Sequence, residues 1–178
     1  MVRFLKSWVV LASLALNPVS SFADSVASPV SACSDPNSCL PSVIAFLEKN
    51  HKPYQQANPL KGAERYRFLA DLAAELVTTL LSGPPSQPKP VPAIEEVVAE
   101  RLSKKYSTAF GSDQVMAKKK LGDFVKLTVK SIDELSIAWG GGVLHRLLIE
   151  WSIRRALLQR GEVSSDPNHS DMLRGIVQ

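Results

Sequence analysis

Cysteine, histidine and aromatic residues are all scarce in this chain. Its 178 residues include two cysteines and three histidines, and 7% are aromatic. Two cysteines exclude a fold built on a disulfide framework, and no Cys/His spacing matches a structural zinc site. The histidines form no His-Glu-x-x-His pair. No Gly-x-Ser-x-Gly, Cys–His protease or Gly-x-x-x-x-Gly-Lys pattern occurs. Neither metal nor cofactor is therefore expected, and no catalytic residue is assigned. A strong charge of one sign is also missing. The 21 Lys and Arg stand against 17 Asp and Glu, a net +4. That bias is too weak to argue for nucleic acid. Beyond the N-terminal segment, no apolar run approaches the roughly 20 residues that span a bilayer.

What is present suits one globular domain. Hydrophobic residues make up 45%, well above disordered composition. At the N-terminus, Arg3 and Lys6 precede the short apolar run Ser7 to Leu16. Asn17-Pro18 breaks the run, and Ser21-Phe22-Ala23 sets small residues where a signal peptidase reads. This is the pattern of a cleaved secretory signal peptide over 1–23, so the chain is expected to be exported. Without those residues, 19 basic side chains face 17 acidic ones.

Residues 24–40 are small, Ser-rich and polar, and read as a flexible lead. They hold both cysteines, in Cys33-Ser-Asp-Pro-Asn-Ser-Cys39. In an oxidising compartment the pair reads as a local disulfide, with Asp35-Pro36-Asn37 as its turn. A second reading is open here. Val30-Ser31-Ala32-Cys33 resembles the lipobox of bacterial lipoproteins, which implies an acylated Cys33 as the mature N-terminus. Acylation and a Cys33–Cys39 bridge exclude one another.

Residues 41–160 read as the helical domain. Pro41 to Asn50 is a first short helix, with Pro41 at its opening position and Pro53 ending it. His51 is a polar residue at the helix end rather than a ligand. Residues 52–61 read as loop. Ala63 to Ser82 is the clearest helix, with Tyr66, Leu69, Ala73, Leu76 and Leu80 on one face. Arg67 and Asp71, four apart on the other face, are spaced to pair. Residues 83–92, GPPSQPKPVP, hold five prolines in ten positions. They read as an extended spacer, or alternatively as a docking segment for an aromatic-lined groove. Ala93 to Tyr106 is a third helix, with Ile94, Val98 and Leu102 apolar. Its Glu95 and Glu96 sit in the first turn and Lys104 and Lys105 in the last, matching the helix dipole.

From the cap Ser112-Asp113 to Trp139 two patterns compete. Ala117, Leu121, Phe124, Thr128, Ile132, Leu135 and Trp139 fit one long helix. Residues 125–130 alternate as a half-buried strand would. The longer 3-4 pattern favours helix. Lys118-Lys119-Lys120 spreads round the circumference and reads as a solvated turn. The triglycine at 140–142 reads as the reversal of a helical hairpin. Residues 161–178 read as a loose tail, and His169 between Asp166 and Asp171 is a weak metal-like cluster there.

The last helix, over Val143 to Gln159, carries the main expectation. Leu144, Leu147, Trp151 and Leu158 form one apolar stripe. Ile149, Ile153 and Leu157 form a second on the opposite wall, and Arg146, Glu150 and Arg154 alternate in sign along a face between them. Such a helix is either central to a bundle or keeps one wall for a partner. The fold class expected is all-α: a bundle of four or five helices with a proline-rich crossover. The function expected is a non-enzymatic binding or assembly protein of the bacterial periplasm or envelope, in the class of secretion or conjugation components. Its interaction surface is Ile149, Ile153 and Leu157, with Arg146 and Arg154. The partner is a protein or a second copy met through this helix, with no nucleic acid. Two alternatives stay open. One is an envelope-directed hydrolase using Glu150 or Glu134. The other is a membrane-surface component, basic on its last helix or acylated at Cys33.

Overall fold

The computed structural model describes residues 35–86, 89–138 and 141–162. Six helices run in order: α1 Pro36–Asn50, α2 Lys52–Ala57, α3 Gly62–Ser82, α4 Ile94–Phe110, α5 Gln114–Ala138 and α6 Val143–Arg160. No strand occurs among the described residues, so the protein is a helical bundle, as its periodicity predicts. Residues 125–130 lie inside α5. The alternation there reflects helix-face geometry: Val125 and Thr128 are buried while Lys126 and Lys130 reach solvent. The Thr128 hydroxyl donates back to the Phe124 carbonyl at 2.9 Å, which satisfies it inside the core.

Helix starts differ from expectation where capping overrules the apolar pattern. α1 begins at Pro36, five residues before Pro41, so the end of the supposed lead is helical. Asp35-Pro36-Asn37 is not a free turn. Asp35 is the N-cap, its Oδ1 accepting from the Asn37 N–H at 3.1 Å, and Pro36 takes the opening position. That bond holds the Asp35 carboxyl below the usual range. Pro41 then sits within the helix. The stretch 52–61 is not all loop, because Pro53 opens α2 rather than only closing α1. His51 caps that helix, its Nδ1 accepting from the Tyr54 N–H at 3.3 Å. α4 runs on through Ser107 to Phe110, so Lys104 and Lys105 fall short of its last turn. The expected dipole contact of those lysines is therefore absent.

The core gathers one cluster from all six helices. Its centre is aromatic. Phe68 stands edge-on to Tyr106 at 4.9 Å and meets Phe110 and Phe124, each at 5.6 Å. Tyr54 of α2 completes the group, 4.9 Å from Phe124. Ring pairs at these spacings add about 0.5–1.5 kcal/mol each beyond area burial. This cluster turns the buried arc of α3 toward Phe68 and Leu72. Tyr66, expected in the core, is left 70% exposed. Arg67 and Asp71 do not pair; Asp71 reaches α4 instead, taking Lys105 Nζ at 2.5 Å and the Tyr106 hydroxyl at 2.7 Å.

A second polar knot fixes the N-terminal helices. Arg65 of α3 forms an ion pair with Glu48 of α1. Its Nη2 donates to the Gln55 carbonyl at 2.9 Å. Gln55 in turn donates to the carbonyls of Glu48, at 2.6 Å, and Lys49. The carbonyls where α1 ends and α2 turns back are thereby given donors without further backbone pairing.

α6 closes the bundle against α5, α3 and α1. Gly141 takes a φ of 83°, open to glycine, and its N–H donates to the Ser136 carbonyl at 2.6 Å. This gives the expected hairpin its reversal. Trp139 and Gly140 lie outside the described residues.

Candidate interaction surface

α6 turns its two apolar walls to different surroundings. Leu144, Trp151 and Leu158 are buried, and Leu147 packs partly against the core. On the opposite wall Ile149 is 36% exposed and Ile153 37%, while Leu157 is half-buried. At 100° per residue these isoleucines sit about 140–180° from Leu144. They occupy the middle of the solvent face, with Arg146 before them and Ala156 and Arg160 after them, all exposed. Two exposed aliphatic side chains one turn apart are more apolar than water-facing helix positions require.

The isoleucines border a groove of about 470 Å³ between α6, α5 and the start of α4. Leu148, Val129 and Ile94 form its apolar walls, and Lys126, Lys130, Glu95 and Asp133 stand among its polar lining. Both signs are present in equal number. Ser152, small and exposed, opens the groove on the α6 side.

The polar residues of α6 divide between structural and surface work. Trp151 Nε1 donates to the Thr79 carbonyl of α3 at 3.3 Å. Arg155 Nε donates to the carbonyls of Val91 at 3.0 Å and Pro92 at 2.9 Å. Gln159 adds a donor to Val91 at 3.3 Å. The end of the proline-rich crossover is thus tied to α6, with Val91 fully buried. A spacer held by its carbonyls fits the first reading of this stretch. At its other end, Arg154 lies against Gly83, which has a φ of 70°. Arg154 therefore packs along the crossover as well as carrying charge, whereas Arg146 is exposed.

The carboxylates considered for acid–base chemistry are not brought together. Asp133 meets His145 Nδ1 at 2.6 Å, joining α5 to α6. Glu134 turns to Lys130, one helical turn away, at 3.6 Å. Glu150 sits about 140° round α6 from His145, away from the α5 side. Lys118 pairs with Glu100 of α4, which lowers the Glu100 carboxyl from its usual range. Lys119 and Lys120 are exposed.

Among the described residues no group of three His, Cys, Asp or Glu could hold a metal ion. None of their helices is long and apolar enough to cross a membrane. Cys39 is buried on α1. Cys33, the signal segment and the cluster around His169 lie outside the described residues.

Sequence reading missed the walls that α4 and α5 add to this surface. Ile94 and Val129 belong to helices whose apolar residues are mostly core, so periodicity alone could not set them apart. Arg155 was missed too. An arginine beside a buried tryptophan on a helix facing a proline-rich stretch was the available hint, since prolines leave carbonyls without backbone donors. No protein-family model, curated protein or solved structure matches the chain.

Proposed function

We propose that this is an exported helical binding and assembly protein of the bacterial periplasm or envelope, acting through the outward wall of α6. One observation carries the reading: Ile149 and Ile153 stay about a third exposed in the middle of a helix whose opposite wall packs on the core. With about a third of each isoleucine in water, covering the pair can recover roughly 0.5–1 kcal/mol per side chain. The polar lining gives that partner orientation rather than bulk affinity. Export rests on the pattern of residues 1–23, and a Cys33–Cys39 disulfide anchored at a buried position of α1 goes with it.

Ile153→Asp tests the surface. The variant is expected to keep wild-type helicity and its melting temperature within a few degrees, because the residue is already exposed. In native extracts it is expected to run at the size of the lone chain, whereas wild type runs in a larger complex. Equal sizes for the two would remove the proposal. Unfolding of the variant would assign the wall to the core. The mass of the mature N-terminus tests export: cleavage after Ala23 with two fewer hydrogen atoms than a dithiol supports it, and a lipid adduct on Cys33 supports anchoring instead.

A further inference from the structure

We infer that the exposed hairpin tip between α4 and α5 docks end-on to an anionic lipid surface, with Val115 and Met116 in the apolar boundary and a collar of lysines at the phosphates. This site is separate from the outward wall of α6. That helix is tied to the crossover at Val91 and Pro92, just before α4 starts. The tip lies at the other end of α4, which is 17 residues long. At 1.5 Å per residue that is a distance of about 25 Å.

The apolar point comes first. Every residue from Ser112 to Met116 is exposed. Val115 is 82% exposed and Met116 51%, side by side in the first turn of α5. The Met116 N–H donates to Asp113 Oδ1 at 2.9 Å, so a capped turn presents the pair. The same bond turns the one carboxylate between Gly111 and Lys120 back onto its own helix.

The charges lie just behind it. Lys118, Lys119 and Lys120 are all exposed. Three successive positions cover about 200° of the helix circumference, yet they differ in depth by only about 3 Å. A protein partner meets one side of a helix, and such a spread leaves at least one lysine unused. A plane of phosphates met end-on finds all three at one level. They stand about 6 Å behind the apolar pair, within the depth at which interfacial segments sit between acyl chains and headgroups. Helix side chains lean toward the N-terminus, here toward the tip. Lys118 is held by Glu100 of α4, while Lys119 and Lys120 form no ion pair among the described residues. Asp123, the next carboxylate of α5, lies nearly a turn further from the tip. This end of the hairpin therefore carries surplus positive charge around an apolar point, which favours an anionic interface over a neutral one.

Vesicle flotation of the chain purified from cells expressing it in full tests this. Wild type is expected to bind phosphatidylcholine vesicles that contain phosphatidylglycerol about tenfold or more tighter than phosphatidylcholine alone. The difference is expected to shrink as salt rises. Lys119→Gln and Lys120→Gln are each expected to weaken anionic binding about fivefold. Val115→Ser combined with Met116→Ser is expected to lose most of it at wild-type helicity, because both side chains are already exposed. Arg160→Gln removes one positive charge beside the crossover, next to Gly161, and is expected to bind as wild type does. Val115→Trp reads depth: its added emission is expected to shift to the blue on anionic vesicles and to be quenched by lipids brominated on their acyl chains. All variants carry the wild-type N-terminus, so any lipid contact made there cancels in the comparison. Equal binding to the two lipids, or an anionic preference that survives both the lysine and the serine variants, overturns the inference. A loss confined to Arg160→Gln moves the lipid contact to α6 and overturns it too. Native complexes that depend on Val115 without any vesicle binding assign the tip to a protein instead. None of these results bears on the extract experiment with Ile153→Asp, which tests the α6 wall by itself.

Discussion

The indole N–H of Trp151 reaches the main-chain carbonyl of Thr79 at 3.3 Å, across 72 residues of sequence. Trp151 is 4% exposed, and its ring fills the seam where α6 meets α3. The same carbonyl accepts from the Gly83 N–H at 3.0 Å, so one acceptor ends α3 and seats α6. Trp151→Ala is expected to cost about 3–5 kcal/mol, the range for emptying a buried aromatic site. Trp151→Phe keeps most of the apolar area and loses one donor, for about 1 kcal/mol plus a packing loss of similar size. Urea unfolding of both variants checks the order. Equal losses would mean that the hydrogen bond, not the packing, holds α6 down.

The contact of Asp71 with Lys105 and Tyr106 makes stability depend on acid pH. The Lys105 ammonium and the Tyr106 hydroxyl hold the Asp71 carboxyl below its ordinary value of 3.8. A lowered folded-state pKa means that the unfolded chain binds the proton more readily. The stabilisation is complete above pH 4 and is lost as pH falls through the lower, folded value. Asp71→Asn is expected to cost about 1 kcal/mol at pH 7, since the pair is partly exposed and screened while the tyrosine bond is sheltered. The gap between variant and wild type is expected to narrow as pH falls below 3.8 and through the lower, folded value. A gap that does not narrow at all on acidification would show that the charge is not what stabilises.

Gly122 lies within α5, facing α4. A methyl group added there would stand 3.9 Å from the Ala99 side chain, an ordinary contact. The site needs no positive φ. Gly122→Ala should therefore raise stability by about 0.5–1 kcal/mol, through higher helix propensity and a less disordered unfolded chain. A thermal melt a few degrees above wild type is the expected result. A lower melt would show that α4 and α5 are spaced more tightly than the static distance indicates.

Helices were legible where apolar spacing runs long. α3 and α6 begin and end within one residue of their periodic stretches. The buried line Ile94, Val98 and Leu102 of α4 follows from the same rule. Boundaries failed where a local bond outweighs the pattern. Asp35 caps a helix that its apolar residues do not announce, and His51 turns a suspected loop into α2. Tyr66 failed for a tertiary reason: three positions on α4 and α5 supply the rings that meet Phe68, and no periodicity on α3 alone can say which wall they take. The outward wall of α6 was legible because two apolar stripes on one helix are unusual. The groove beside it was not, since it exists only once α4 and α5 are placed.

The grip of Arg155 and Gln159 on the carbonyls of Val91 and Pro92 bears on how this molecule is made. Synthesis proceeds from the N-terminus, so α6 leaves the ribosome after every element it fastens. Until residue 159 has emerged, Val91 has no donors from that side, and the seam along α3 waits for its tryptophan. Closure thus waits for α6. A nascent chain stalled before α6 would be an open bundle with its seam unsealed, a form that a protease can still cut.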